Sequence, residues 1–254
     1  MIKFVLDIGH GFDTYPPDKG IGDFAEFEFN NAVAKYAIPL AKINGFEAVL
    51  TQPLDSKDVP LRQRYVIANN LDAELLISVH ADANPSPAPN GYWVFHWHNS
   101  ANGKKLAELW LENANKTFPH NPRPYPVQSS NVGQWNNFGM LRETKQASIL
   151  IEHAFFTNPS DLKLLKDDNF RKLCAKVIVK TLCDYYLKDF KETDISEKDN
   201  ADIELLQKLR ILNTPEYWIK NAVKGNRVEG EFAAILIQRT AELLRQINKL
   251  TGGM

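Results

Sequence analysis

Lys3-Phe4-Val5-Leu6-Asp7-Ile8-Gly9-His10-Gly11 begins the reading of the fold: a short apolar run that stops at a histidine set between glycines. A buried strand running out into a loop looks like this. From Phe24 to Asn44 the residues Phe29, Val33, Tyr36, Ala37, Leu40 and Ala41 recur at helical spacing, and Gly45 follows as a stop signal. Glu47 to Thr51 reads as a second strand and Leu61 to Leu71 as a second helix, entered through Asp58-Val59-Pro60. Leu75 to Val79 is a third strand, closed by His80-Ala81-Asp82. Tyr92 to His98 alternates Tyr92, Val94, His96 and His98 on one face with Trp93, Phe95 and Trp97 on the other. Lys104 to Thr117 returns to helix. Phe118 to Asn137, rich in Pro and Asn, reads as a long surface loop. Ser148 to Ile151 is another buried strand ending at Glu152, before helices near Pro159 to Leu165 and Asn169 to Lys188. Strands alternating with helices predict an α/β fold, an open and mainly parallel sheet flanked by helices.

The composition shifts at Lys191 to Asn200, KETDISEKDN, which reads as a linker. Beyond it Ile203 to Leu212, a segment opened by Thr214-Pro215-Glu216, and Glu229 to Leu250 are helical stretches. The expected organisation is one α/β domain over 1–190, then a linker and small all-helical module over 191–254. Basic and acidic residues cancel in that module, so net charge does not attract it to anionic polymers. Binding to a partner and homodimer formation through the C-terminal helices both stay open.

Across the 254 residues, 44% are hydrophobic and 24% charged, as in ordinary globular proteins. The 30 basic and 31 acidic side chains leave a formal charge of -1, which supplies no general attraction to nucleic acid or an anionic membrane. No apolar run approaches the roughly 20 residues of a membrane span. Met1-Ile2-Lys3-Phe4-Val5-Leu6 leads straight into the first motif without the parts of a signal peptide, so synthesis in the cytoplasm is expected. Cys174 and Cys183 stand about 13 Å apart along one helical stretch and on different faces, which excludes a disulfide and suits two core thiols.

In an open parallel sheet, ligands bind beyond the carboxyl ends of the strands. Asp7 to Gly11, His80 to Asp82 and Glu152-His153 all fall at such ends. His10 and His80 each close a strand, and Glu26 lies in the first turns of the helix that follows the first loop. Two imidazoles and a carboxylate with one open position make a catalytic zinc set, and Glu152 could serve beside it as a proton acceptor. Spacing alone leaves open two structural histidines and a solvated helix charge.

The flanking residues narrow the reading. Asp7-Ile8-Gly9-His10-Gly11, Glu26-Phe27-Glu28-Phe29-Asn30, Leu61-Arg62-Gln63-Arg64, Ile77-Ser78-Val79-His80-Ala81-Asp82, Gly139-Met140-Leu141-Arg142-Glu143-Thr144 and Ile151-Glu152-His153-Ala154-Phe155-Phe156-Thr157-Asn158 occur in this order. The series, over about residues 1 to 188, resembles the zinc-dependent N-acetylmuramoyl-L-alanine amidases of the type 3 amidase family, found in bacterial cell-wall hydrolases and phage endolysins. The resemblance implies one zinc held by His10, Glu26 and His80, with Glu152 as catalytic base. It also implies peptidoglycan as the partner and cleavage of the amide between N-acetylmuramic acid and the L-alanine of the stem peptide. An endolysin of this kind would act at the wall during host lysis. Glu26 is preferred to Glu28 because Asn30 completes the family's Glu-x-x-x-Asn, and residues about 200° apart on a helix cannot both face one metal.

Arg142, Asp82 and Asn84 are candidate substrate contacts on the same grounds, with a surface ion pair the alternative for Arg142. His153, next to an inward Glu152, should point the other way. His96 and His98 read as exposed strand histidines or substrate contacts, and His120 carries no signal. Ala147-Ser148 stands where the family commonly has proline, a departure that touches loop geometry. Tyr92, Trp93, Trp97, Trp135 and Phe138 could stack on sugar rings, with core or loop packing as the alternative. Rival functions are another zinc hydrolase of peptidoglycan, a carboxypeptidase or deacetylase, and a wall-binding protein without turnover.

Overall fold

A computed structural model describes residues 1–15, 18–192, 206, 209, 211, 218 and 230–250. The chain divides into two compact units, Met1–Lys191 and Glu192–Met254. In the first unit six strands form one sheet: β1 (Ile2–Ile8), β4 (Phe46–Leu50), β5 (Leu75–Asp82), β6 (Tyr92–Trp97), β7 (Pro122–Ser130) and β8 (Ala147–Phe155). Their order is β4-β1-β5-β8-β6-β7, and every neighbouring pair is parallel except β6 and β8. The short pair β2 (Gly20–Ile21) and β3 (Phe24–Ala25) stands apart from this sheet. Phe4, Val5, Leu6 and Ile8 are fully buried, the continuous apolar run of a strand covered on both faces.

The two faces are covered unequally. Helices α1 (Glu26–Ile43), α3 (Ala101–Thr117) and α6 (Asp168–Tyr185) lie over one face, where Phe4, Leu6, Ile77, Val79, Ile149 and Ile151 join the main core. The other face carries α2 (Leu61–Asn70) and the single turn α4 (Gly139–Arg142), over the smaller clusters around Val5 and Leu76 and around Phe95 and Leu150. Strand alternation therefore sends Asp7, Ser78, His80 and Glu152 to the thinly covered face. Helix α5 (Pro159–Lys166) connects β8 to α6, capped by Asn158, whose side chain accepts from the backbone of Ser160 and Asp161.

The expected loop from Phe118 to Asn137 is corrected: nine of its residues form β7, parallel to β6 at the open edge. Three prolines hid it, and an edge position tolerates the missing donors. The register jumps from Tyr92↔Pro122 to Val94↔Val127, so residues 123–126 bulge out, with Tyr125 in the left-handed region at φ 54°. His96 is also corrected, from exposed to buried, with Nδ1 2.9 Å from the carbonyl of Trp97; His98 is exposed. Both cysteines are buried free thiols. The helical stretches expected at Ile203 to Leu212 and around Trp218 fall mostly outside the described residues, as does the linker. The last one is α7 (Gly230–Leu250). No described helix is long and apolar enough to cross a membrane.

His153 points into the main core, with ring centroids 5.3 Å from Phe29 and 5.8 Å from Trp110 and Nδ1 3.2 Å from the carbonyl of His80. Burial drives its pKa down to about 3, against the smaller upward pull of that carbonyl. As pH falls below about 6.5 the unfolded chain takes up this proton first, so the stability that neutral His153 contributes is complete above that value and lost toward 3. Denaturant titrations should show a loss of about 2 to 3 kcal/mol from this group between pH 6 and pH 4. His153→Gln should flatten that slope by about one proton. An unchanged slope would contradict the buried neutral ring.

Candidate active site

Strand β1 leads to β4 on one side of the sheet, and β5 leads to β6 on the other, so a crevice opens between the carboxyl ends of β1 and β5. His10 stands just past β1, and His80 lies within β5. The His10 backbone adopts φ 63°, unusual for a side chain of this size. Gln52 holds it there, donating from Nε2 to the carbonyls of Ile8 at 3.0 Å and His10 at 2.5 Å, while its Oε1 accepts from the Val59 amide at 3.1 Å. A Cβ on Gly9 would stand 2.2 Å from Cε1 of His80, so only glycine lets the second imidazole lie against the first loop.

Glu26, the first residue of α1, is buried between the two rings. Its Oε2 is 3.2 Å from Nε2 of His10, and its Oε1 is 2.9 Å from Nδ1 of His80. The Ala81 amide donates to Oε1 at 3.2 Å. Asn30, one turn on, donates to the Gly9 carbonyl at 3.0 Å and to Oε1 of Glu26 at 3.4 Å, tying helix to loop. One donor atom each from His10, Glu26 and His80 lies within 4.8 Å of the others. Burial works to raise the Glu26 pKa, but the two imidazoles more than offset it and hold the carboxyl well below its ordinary range. Burial lowers His80, against the pull of Glu26, and so favours the neutral ring a metal requires. Glu28 is exposed and lines a separate hollow with Phe12 and Lys35.

Glu152 pairs in register with His80 on one side and with Trp93 on the other. One row across β5, β8 and β6 therefore carries an imidazole, a carboxyl and an indole on one face. Oε2 of Glu152 is buried and has no hydrogen-bond partner among the described residues. Burial raises its pKa well above the ordinary range; the charges of Asp82 and Glu26 add to this and Lys19 opposes it. Asp82 accepts from Nε1 of Trp93 at 2.9 Å, and burial raises its pKa to about 6 against the hydrogen bonds from Ala83 and Trp93. His10, Glu26, His80, Asp82 and Glu152 share a cleft of about 290 Å³ with Lys19 and Phe138.

Two other candidate contacts stand outside it. Arg142 is engaged by Glu143 at 2.6 Å and by Oδ1 of Asn137 at 2.5 Å. Asn84 donates its amide to Thr157 and accepts from the Ser86 amide, a turn-forming role. His120, which carried no signal, packs on Tyr92 and Phe118 with Nε2 3.1 Å from the His153 carbonyl.

Sequence reading missed the group beneath the site. Asp7 is fully buried, and both its oxygens lie 2.9 Å from Nη1 of Arg64. Thr51 and Ser78 donate to the same carboxylate at 2.5 and 2.6 Å. Burial pushes Asp7 up, but Arg64 and the two hydroxyls outweigh it and hold the carboxyl below its ordinary range. A charged residue inside the otherwise apolar run Phe4 to Ile8 was the available signal, since an acid buried there requires a partner.

Residues 4–184 match the family described as N-acetylmuramoyl-L-alanine amidase. The amidase LytC of Bacillus subtilis is 30% identical over 191 residues, covering 71% of this chain and 35% of LytC. The germination-specific N-acetylmuramoyl-L-alanine amidase of the same species is 25% identical over 196 residues, 71% of this chain and 78% of that one. The chain thus spans about a third of the first of these relatives. Among solved structures, the catalytic domain of the amidase CwlV from Bacillus (Paenibacillus) polymyxa var. colistinus superposes with a TM-score of 0.65 at 27% identity, covering 74% of this chain and 100% of that one. An N-acetylmuramoyl-L-alanine amidase from Clostridium difficile 630 gives 0.63 at 25%, covering 73% and 96%.

Removing Arg64 would leave Asp7 charged and buried without its counter-ion. Arg64→Met should cost about 3 to 5 kcal/mol in denaturant unfolding. Combined with Asp7→Asn it should cost less than the two single changes together. Additive losses would mean that the pair is not coupled.

Proposed function

The chain belongs to the N-acetylmuramoyl-L-alanine amidase family, and from that premise we propose that it hydrolyses the amide joining the lactyl group of N-acetylmuramic acid to the L-alanine of the peptidoglycan stem peptide. The observation that carries the reading is the convergence of His10, Glu26 and His80 donor atoms beside the unpartnered Oε2 of Glu152 in one cleft. Two imidazole nitrogens and one carboxylate suit a single zinc ion with an open position. Zinc bound there would supply a Lewis acid that polarises the amide carbonyl and acidifies water.

The chain's own residues do the rest. Glu152 takes a proton from the attacking water at its free oxygen and returns it to the departing amine, the work of a buried carboxyl with a raised pKa. Asp82, fixed by Trp93, adds negative charge beside it. Asn30 and Gln52 keep Glu26 and His10 from turning away. No serine or cysteine nucleophile is required.

We assign the site of action to the bacterial cell wall, in the manner of an endolysin. For the second unit we assign self-association into a homodimer. Ile237 and Leu244 support it: they stand seven residues apart along α7 and expose 69% and 57% of their surface. A monomeric mass in solution would remove that assignment.

Metal analysis and digestion of purified peptidoglycan test the main reading together. One zinc per chain and new L-alanine amino termini are expected. Glu152→Gln should keep the zinc and lose about 10²- to 10⁴-fold in kcat. His80→Ala should lose both zinc and turnover. Full activity in Glu152→Gln would remove the base, and full activity without zinc the metal. Release of a terminal amino acid or of acetate would put a carboxypeptidase or deacetylase in its place, and zinc with no cleavage would favour a wall-binding protein.

A further inference from the structure

The row His80–Glu152–Trp93 does not end at Trp93. Trp135, in the segment between β7 and α4, stacks on the Trp93 indole with ring centroids 5.4 Å apart and planes at 29°. Trp135 is nonetheless 70% exposed. Its indole thus presents a flat apolar face to solvent at the end of an aromatic row that begins beside the cleft. Its segment is well anchored: Ser130 Oγ donates to the Asn136 carbonyl at 2.5 Å, and Asn136 Nδ2 donates to the Ser129 carbonyl at 2.9 Å. Phe138, on the same segment, lies 6.4 Å from Trp135 and lines the catalytic cleft.

The indoles form a continuation of the cleft. Trp93 is tied by Nε1 to Asp82 in the cleft wall, and the Arg123 guanidinium lies over its ring at 4.4 Å. Strand spacing puts Trp93 about 10 Å from His80 across the sheet, and Trp135 one stacking distance further. Gln134, adjacent and exposed, has no side-chain hydrogen bond among the described residues. The exposed indole of Trp135 next to a free amide matches the C–H faces and hydroxyl or N-acetyl groups of a carbohydrate.

Lys19 lines the cleft as well. The amide cut under the proposed function joins a neutral sugar chain to a peptide bearing carboxylates, and an aromatic surface suits the sugar arm.

We propose that Trp135, stacked on Trp93, is a platform for the glycan strand that seats sugar rings beyond the one bearing the scissile amide and so sets a preference for polymer over single-sugar substrates. The proposal rests on the amidase reading. Trp135 is a specificity residue here, outside the proton-transfer and metal-holding groups.

The test uses the full chain and two readouts. In calorimetric titrations with the tetramer of N-acetylglucosamine, a peptide-free probe, the native chain should bind. Trp135→Ala should bind roughly ten-fold more weakly, as expected for losing one well-packed aromatic contact, and Trp135→Tyr should recover most of the affinity. In hydrolysis, Trp135→Ala should raise KM about ten-fold on soluble glycan-peptide fragments several sugars long and leave kcat unchanged. KM on a muramyl peptide with one sugar should not move. Unfolding transitions matching those of the native chain would show that the exposed side chain was removed without loss of fold.

No binding of the tetramer by the native chain would overturn the platform, as would equal binding by Trp135→Ala or equal KM changes on long and short substrates. Trp135-dependent binding with no hydrolysis of any fragment would sustain the platform and sink the amidase reading. Hydrolysis without binding would do the reverse.

Discussion

The Asp7 carboxylate, closed off from water between Arg64, Ser78 and Thr51, is the interaction on which the site depends. It gathers β1, the end of β4, β5 and α2 around a single buried charge. In isolation such a pair adds little to stability, because desolvating both ions offsets most of their attraction. Its effect is on register. A slip of β1 by one residue would turn Asp7 into the main core and take Ile8 out of it. With Asp7 fixed, the chain must leave the sheet at Ile8, and Gly9 and His10 follow in the one place where Gly9 can lie under the His80 ring.

The unequal covering of the sheet explains why chemistry collects on one face. Alternation along β5 and β8 puts Ile77, Val79, Ile149 and Ile151 under α1 and α6, and so puts Ser78, His80, Leu150 and Glu152 opposite. Helix α2 and the turn α4 cover that opposite face only in part, so the carboxyl ends of β5 and β8 border an open cleft. Glu26 arrives from the other side, where the first turn of α1 reaches past the strand ends. The strained backbone of His10 is maintained by Gln52 and by the Gly11 contact, where a Cβ would fall 1.9 Å from the Asp58 amide.

Much of this was legible because strand ends announce themselves. Gly9-His10-Gly11, His80-Ala81-Asp82 and Glu152-His153 each break an apolar run, and the fold places all three toward the carboxyl ends of neighbouring strands, although β5 runs on through Asp82 and β8 through Phe155, past the ends read from the sequence. Helical rotation showed that Glu26 and Glu28 cannot share one face, and Asn30, four residues after Glu26, singled out the first of them. Strand β7 was illegible because Pro122, Pro124 and Pro126 mimic a loop, and only the position at the sheet edge, a tertiary fact, makes them admissible. The burial of His96 was hidden in the same way, since β7 is what covers it on that side. Arg64 sat in a recognised motif, but its partner is 57 residues away, and one sequence does not reveal which buried acid a helical arginine reaches.

Electrostatics brings these features to one conclusion about the cleft. Glu26, Asp82 and Glu152 meet there, the last two with raised pKa values and the first held ionised by two imidazoles. Arg64 is committed to Asp7 below the site, which leaves Lys19 as the basic side chain of the cleft with no ion pair among the described residues. One amine is too little to balance three carboxyls at low dielectric, so the arrangement favours a cation bound among them and a proton held near Glu152. Under the proposed function those would be the two requirements of amide hydrolysis, an electrophilic centre and, beside it, a carboxyl that takes and returns a proton.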